Sequence, residues 1–87
     1  MNDDRLDGNA MAGLLGEIFP FDATMVESTC TGCGAVEVLG REIVYADAPG
    51  MVMRCLHCNT VLIRVVQGGG RTWLDMRGVV CLQIPTG

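Results

Sequence analysis

The chain of 87 residues contains no lysine, and aromatic side chains make up only 5% of it. His57 is its single histidine. Catalytic sites built on Ser-His-Asp or Cys-His groupings need a histidine beside the nucleophile, and neither such a grouping nor a pair of catalytic carboxylates is evident in the sequence. We therefore expect a protein without enzymatic activity.

A surplus of positive charge is also missing. The formal net charge is −4, and all six basic residues are arginines. Because proteins that bind nucleic acids usually carry a basic surface, this composition argues against that function. We interpret the use of arginine without lysine, together with the many glycines and alanines, as coding bias of a GC-rich genome.

The sequence has no long uncharged apolar run. No segment approaches the ~18 residues that indicate a membrane-spanning helix. The N-terminus carries Asp3, Asp4 and Asp7 where a secretory signal peptide would carry basic residues. We therefore expect a cytoplasmic protein with no membrane contact, in a reducing compartment where paired cysteines are more often metal ligands than disulfides.

Acidic charge is concentrated at the N-terminus. Residues 1–22 hold five acidic residues against Arg5 alone, whereas residues 23–87 hold five acidic residues and five arginines. We interpret residues 1–22 as an acidic segment with a helix and residues 23–87 as a β domain. A chain of this length forms a single domain, so both should belong to one folding unit of residues 1–87.

The most informative residues that are present are four cysteines in two matched pairs. We call Cys30–Cys33 the first hook and Cys55–Cys58 the second hook; 21 residues separate them. Two Cys-x-x-Cys pairs at about this spacing are typical of a tetrahedral zinc site. Gly34 and Asn59 follow the hooks, and both residue types favour the positive φ angle that a zinc knuckle often needs there. The predicted metal ligands are Cys30, Cys33, Cys55 and Cys58.

Other interpretations of the cysteines remain open. Disulfides would require an oxidising compartment. A thioredoxin-like site would need its cysteines at the start of a helix, whereas residues 34–38 have the pattern of a strand. A rubredoxin-type iron centre also uses four thiolates, but rubredoxins are typically rich in aromatic residues. We predict one zinc ion per chain, with iron less favoured. Four protein ligands would leave no position for a catalytic water.

Apolar residues at three- and four-residue steps predict a helix from Asp7 to Phe19. The stepped positions are Leu6, Ala10, Met11, Leu14, Leu15 and Ile18. Asp7 or Asn9 would cap the first turn, and Pro20 would end the helix because the residue before a proline disfavours the helical conformation. Gly13 and Gly16 weaken a helix, so we expect them to permit the close approach of another backbone.

Beyond Phe21, short runs of β-branched residues separated by turn signals predict strands. The predicted strands lie in the runs Thr24–Thr29, Ala35–Ala46, Met51–Arg54, Thr60–Val66, Arg71–Met76 and Val79–Ile84. The turn signals are Gly40, Asp47–Gly50, Gly68–Gly70 and Gly78. Gly68–Gly70 should form a hairpin turn, since it lacks the Lys-Ser/Thr and the helix of a phosphate-binding loop. The predicted fold is a small metal-stapled α+β domain: a zinc ribbon with a mostly meandering antiparallel β-sheet and one N-terminal helix.

Three further features have structural interpretations. His57 lies inside the second hook, where the neighbouring cysteine has the ligand spacing, so we expect an exposed side chain. Cys81 lies in an apolar strand and should be a small buried hydrophobe. Asp75 and Arg77 should form a local ion pair, which makes Trp73–Arg77 a structural patch.

Three blocks of the sequence are similar to those of a known family. They are Asp3–Ala10 with Ala12, Gly13 and Glu17–Phe19, then Ala48–Cys55, then Trp73–Gly78. Through them the whole chain resembles a small family of bacterial zinc-ribbon proteins, a domain of unknown function seen mainly in high-GC bacteria. The resemblance implies zinc at the four hook cysteines and implies no activity. That family commonly has proline where this chain has Leu56, which should alter the rigidity of the second hook more than its ligation.

The chain is unusually apolar for its size. It is 49% hydrophobic with a mean hydropathy of +0.36, which favours an apolar patch that a partner covers. We predict a non-enzymatic protein-interaction or assembly module whose partner is another protein or a second copy of the chain. The alternatives are a zinc ribbon that binds nucleic acid through the arginines of its sheet and a rubredoxin-like iron electron carrier.

Overall fold

The computed structural model describes residues 5–47 and 49–86. Within these ranges the strands are β1 (Arg5–Asp7), β2 (Glu27–Cys30), β3 (Val36–Val38), β4 (Ile43–Asp47), β5 (Gly50–Arg54), β6 (Val61–Gly68), β7 (Arg71–Asp75) and β8 (Val79–Gln83). One α-helix, α1, spans Ala12–Ile18, and 3-10 helices span Gly8–Met11, Ala23–Met25 and Leu39–Arg41. The acidic residues Asp3 and Asp4, and Ala48 of the second resemblance block, lie outside the described residues.

Two antiparallel sheets organise the described residues, where one mostly meandering sheet was predicted. The large sheet has the order β1-β4-β5-β6-β7, and the small sheet has the order β3-β2-β8. Strands β4 to β7 do form a meander, since each pairs with the next along the chain. The C-terminal strand β8 instead returns to pair with β2, a long-range contact that no local pattern indicates.

The predicted run Ala35–Ala46 forms two strands, because a 3-10 helix at Gly40, one of the predicted turn signals, separates β3 from β4. Leu39 in this helix is fully buried, and its N–H donates to the carbonyl oxygen of Val26 at 2.9 Å. A Cβ at Gly40 would lie 2.9 Å from the carbonyl oxygen of Thr24, so this close approach requires glycine. The break lets the chain pass from the small sheet to the large one.

The helix α1 is shorter than the predicted helix Asp7–Phe19. Residues 5–7 pair with β4, and a 3-10 helix precedes α1. Asp7 caps that 3-10 helix, since its Oδ1 accepts a hydrogen bond from the N–H of Asn9 at 3.1 Å. Phe19 has extended angles, φ −109° and ψ 142°, as expected for a residue before proline. The cap and the stop were therefore predicted more accurately than the extent of the helix.

The backbone contact predicted at Gly13 and Gly16 is also wrong. A Cβ at either position would have no atom of another segment within 4 Å. The helical segment packs instead through Met11 and Leu15, which are fully buried. Close backbone approach occurs at Gly8, where a Cβ would collide with the carbonyl group of Leu39.

A single hydrophobic core joins the helical segment to both sheets. Its buried members are Met11, Leu15, Ala23, Cys30, Leu39, Val44, Met53, Cys55, Leu62, Ile63 and Val65. The Cα radius of gyration is 12.4 Å, so the described residues form a compact α+β unit. None of their helices is long and apolar enough to cross a membrane. Because Cys30 and Cys55 belong to the core, the first cysteine of each hook is anchored in it.

Candidate metal centre

Each hook is the turn of a β-hairpin. The first hook begins at the last residue of β2 and leads into β3, and the second hook follows β5 and leads into β6. Strands β2 and β3 pair antiparallel, as do β5 and β6. The two hairpins therefore bring two short loops of the same kind to one place, although they belong to different sheets.

The sulfur atoms of the two hooks converge. All four Sγ atoms lie within 4.8 Å of one another. Cys30 Sγ is 3.6 Å from Cys58 Sγ, and Cys33 Sγ is 3.7 Å from Cys55 Sγ. Sulfurs at the corners of a tetrahedron with metal–sulfur bonds of ~2.3 Å would be about 3.8 Å apart. The cluster could therefore hold a metal ion. The cysteines are free, with sulfurs much farther apart than a disulfide bond of ~2.05 Å.

Three hydrogen bonds shape the first hook. The Cys30 N–H donates to the carbonyl oxygen of Ala35 at 3.0 Å, and the Gly34 N–H donates to the carbonyl oxygen of Cys30 at 2.9 Å. The Gly32 N–H donates to Cys30 Sγ at 3.2 Å. Gly34 has a φ of +76°, so glycine lets the chain reverse at no steric cost. The amide at the sulfur offsets part of the charge that a thiolate ligand would carry.

The second hook repeats the same three hydrogen bonds 25 residues later in the sequence. The Cys55 N–H donates to the carbonyl oxygen of Thr60 at 2.8 Å, and the Asn59 N–H donates to the carbonyl oxygen of Cys55 at 2.9 Å. The His57 N–H lies 3.4 Å from Cys55 Sγ, to which it donates. Asn59 has a φ of 67°. Gly34 and Asn59 thus both adopt the positive φ angle that was predicted for them.

A carbonyl group outside the first hook anchors it. The Thr31 N–H donates to the carbonyl oxygen of Gly78 at 3.0 Å. Gly78 itself packs tightly, since a Cβ there would collide with the carbonyl oxygen of Val61. The position that follows the first cysteine is therefore fixed to the turn between β7 and β8.

Carboxylates outside the second hook anchor it. The Leu56 N–H donates to Glu42 Oε1 at 2.9 Å, and Glu42 is only 2% exposed. His57 Nε2 lies 3.2 Å from Glu37 Oε2, while Arg41 Nη1 donates to Glu37 Oε1 at 3.1 Å. His57 is exposed, as predicted, and its ring contacts a carboxylate that the sequence did not connect with it.

The Thr60 side chain lies between the two hooks. The Thr60 hydroxyl lies 3.0 Å from Cys58 Sγ. A Cβ at Gly32 would collide with that same hydroxyl oxygen and lie 3.2 Å from Cys58 Sγ. Glycine at position 32 therefore lets the first hook close over Thr60 and the last cysteine of the second hook.

The surroundings of Cys55 and Cys58 shift the pKa values of their thiols in opposite directions. Burial raises the pKa of the Cys55 thiol to about 12. The hydrogen bond from the Thr60 hydroxyl, helped by the Thr60 backbone, lowers the pKa of Cys58 to about 6. Burial raises the pKa of the Glu42 carboxyl, although the hydrogen bond from the Leu56 N–H opposes this shift. Since thiolates are the form that binds metals, a cation among the sulfurs would have to displace the proton of Cys55.

Other residues singled out in the sequence lie outside the cysteine cluster. Arg77 Nε lies 3.0 Å from Asp75 Oδ2, so the predicted ion pair is present. Trp73 is exposed on β7. Cys81 was predicted to be buried, and this is wrong: it is exposed, with its Sγ 3.6 Å from Thr29 Oγ1. The small sheet leaves that face of its edge strand β8 uncovered.

Glu42 and Thr60 were not predicted from the sequence as part of the site. A signal for Glu42 was present, because strand alternation from position 42 to position 44 puts its side chain on the same face as the buried Val44. An acidic residue in register with core positions predicts a specific partner for its carboxylate. Nothing in the local sequence indicates that the partner is the Leu56 N–H. Thr60 gives no signal beyond its closeness to Cys58 in the sequence.

Comparison with known proteins places the chain in a family. Neither a curated protein nor a solved structure matches it significantly. A family model with the description "Family of unknown function (DUF6510)" matches residues 2–87. That range includes both hooks, both sheets and the helical segment. The chain therefore belongs to the DUF6510 family, a family of unknown function.

Proposed function

We propose that the protein is a zinc ribbon in which one structural Zn²⁺ is bound by Cys30, Cys33, Cys55 and Cys58. The observation that carries this proposal is the convergence of four sulfurs within 4.8 Å of one another, presented by two hooks with the same hydrogen bonds. Four thiolates around one ion form a closed tetrahedral site of the structural kind.

The ion would stabilise the fold of this small chain. With 87 residues, the single core is marginal, and domains of this size commonly need a staple. A structural zinc site contributes an apparent ~10–16 kcal/mol at neutral pH in zinc-finger peptides. The ion would cross-link the β2–β3 hairpin to the β5–β6 hairpin, which belong to different sheets.

Zinc is favoured over iron by the composition. Four thiolates suit both zinc and a mononuclear iron centre. The low aromatic content, 5%, is unlike that of the rubredoxins. Optical absorption separates the two metals, because a ferric tetrathiolate centre is coloured and a zinc centre is not.

The module would act by binding another protein rather than by catalysis. A closed four-cysteine site leaves no coordination position for water or substrate. Several large apolar side chains are exposed, among them Met25 at 67%, Trp73 at 53% and Val80 at 63%. We propose that side chains such as these contact a protein partner or a second copy of the chain. Free cysteines favour a reducing, cytoplasmic setting, and the zinc-ribbon resemblance favours a bacterial source.

Elemental analysis tests the metal proposal directly. Protein purified without added metal should contain one zinc per chain and little iron. A strong chelator should remove the zinc and lower the melting temperature steeply, with loss of the β-sheet signal in circular dichroism. A chain that contains no metal, or whose melting temperature does not respond to the chelator, would contradict the proposal.

The mass of the native protein tests the interaction role. If a second copy covers the apolar side chains, the mass should fall from dimer to monomer on dilution, and Trp73→Ser should shift this transition to higher protein concentration. A monomer at all concentrations that retains no protein from a native extract would contradict the role.

A further inference from the structure

Two carboxylates from one short segment hold the second hook. The segment runs from Glu37 to Glu42. Glu42 Oε1 accepts the hydrogen bond of the Leu56 N–H at 2.9 Å, and Glu37 Oε2 lies 3.2 Å from the His57 ring. Leu56 and His57 are the two residues between the cysteines of the second hook, so both are fixed from outside it.

Glu42 is the unusual member of this pair. It is 2% exposed, whereas most of the core around it is apolar. A buried carboxylate costs free energy unless it is hydrogen-bonded, and an apolar side chain of similar volume often stabilises a core at least as well. An apolar side chain could not, however, accept the hydrogen bond of the Leu56 N–H. Glu42 therefore supplies an acceptor for this amide, and its carboxylate also forms a hydrogen bond with the buried side chain of Ser28.

We propose that Glu42 is a positioning residue of the metal centre: its carboxylate fixes the Leu56 amide and thereby holds Cys55 and Cys58 in the geometry that binds the ion. This inference rests on the proposed metal-binding function. Groups that orient the ligands of a metal site without touching the ion commonly contribute 10–100-fold to metal affinity. The Glu42 carboxylate acts one residue away from Cys55, through the backbone rather than through a ligand side chain.

Three variants distinguish the effect of losing the hydrogen-bond acceptor at position 42 from the effect of losing its charge and from a general effect on stability. Glu42→Met keeps a long side chain but removes the acceptor. Glu42→Gln removes the charge and keeps a carbonyl oxygen in place of Oε1. Glu27→Met is the matched control, because Glu27 is an exposed carboxylate on β2 and its loss changes the net charge equally.

The first measurement is the rate at which the metal passes from the purified protein to a coloured chelator. Glu42→Met should release metal ~10–100-fold faster than the unchanged protein. Glu42→Gln should release it less than ~10-fold faster, since a neutral acceptor forms a weaker hydrogen bond than a charged one. Glu27→Met should leave the rate unchanged.

The second measurement is the NMR signal of the Leu56 amide proton in the protein as purified. In the unchanged protein the signal should lie downfield and the proton should resist exchange with solvent. Both properties should persist in Glu42→Gln and be lost in Glu42→Met. This measurement does not require a metal, so a chain without metal would contradict the proposed function while the contact is still tested.

Two outcomes would overturn the inference. One is metal release from Glu42→Met at the rate of Glu27→Met. The other is a Leu56 amide that is insensitive to both substitutions at position 42. If Glu42→Met does not fold, the Glu42→Gln variant decides: a protected Leu56 amide with slow metal release supports the inference, and loss of either contradicts it.

Discussion

Residues 30–35 and residues 55–60 follow the same path but are fixed to the rest of the molecule differently. In each, the first cysteine is buried, the second is exposed, and the residue after the second cysteine has a positive φ. The amide after the first cysteine donates to a carbonyl oxygen of Gly78 in the first hook and to the Glu42 carboxylate in the second.

This difference shows that the backbone shape of a hook and its attachment to the rest of the molecule have separate causes. The matched hydrogen bonds all lie within six residues, so the backbone shape is a local property of Cys-x-x-Cys followed by glycine or asparagine. The anchoring group can be a backbone carbonyl or a side chain, because either can accept the hydrogen bond of the exposed amide. The two hooks should therefore respond alike to changes in their own backbone and differently to changes in their surroundings.

Loss of a buried cysteine should have the largest effect, equal in the two hooks. Cys30→Ser and Cys55→Ser each remove one of the four proposed ligands, so each should lose most of the ~10–16 kcal/mol that the proposed structural zinc would contribute. Metal content after dialysis and the melting temperature measure this. Cys81→Ser is the control, because that exposed cysteine lies outside the cluster. Full metal retention by either variant would show that its hook is not part of the site.

The parts of the site that follow from local sequence were predictable. The spacing of Cys30, Cys33, Cys55 and Cys58 indicates a common cluster, and Gly34 and Asn59 indicate positive φ angles. Glu42 and Gly78 reach the hooks from 14 and 47 residues away in the sequence. Contacts of that range depend on the arrangement of the two sheets, which local residue patterns do not specify.

The fold was likewise predictable where it depends on local sequence and not where it depends on long-range contacts. The hairpin at Gly68–Gly70 was predicted from its glycines, and Gly69 and Gly70 do have positive φ angles. The pairing of β8 with β2 was not predicted, because it joins residues 49 to 56 positions apart. Cys81 lies on the edge strand β8 and is exposed. An apolar neighbourhood in the sequence therefore did not ensure burial.

Changes at the positive-φ positions should have intermediate effects and again be matched. Gly34→Ala should cost ~1–2 kcal/mol in the free energy of unfolding, the usual penalty for a side chain in the left-handed region. A Cβ at Gly34 would meet no atom within 4 Å, so a collision does not add to this cost. Asn59→Ala should cost a similar amount, while Asn59→Gly should be tolerated because glycine adopts this conformation readily.

Urea unfolding of the metal-loaded proteins measures these free energies. The Gly34→Asn variant is the matched control, since asparagine already occupies the equivalent position of the second hook. A Gly34→Ala variant as stable as the unchanged protein would show that the first hook can form without the left-handed residue.

The ion pairs around Glu37 should have the smallest effect, confined to the second hook. The Glu37 side chain is 13% exposed, but its partners Arg41 and His57 are 67% and 46% exposed. Because solvent screens both partners, Glu37→Gln should cost about 0–1 kcal/mol in the free energy of unfolding. This cost should vanish in ~1 M salt, where the Debye length is only ~3 Å. Urea unfolding at low and high salt measures it, with Glu27→Gln as the control.

Because the first hook has a glycine where the second has His57, the NMR amide signals of Gly32 and Gly34 should not move in Glu37→Gln. A loss of several kcal/mol that persists in high salt would mean that Glu37 anchors the second hook as strongly as Glu42 does.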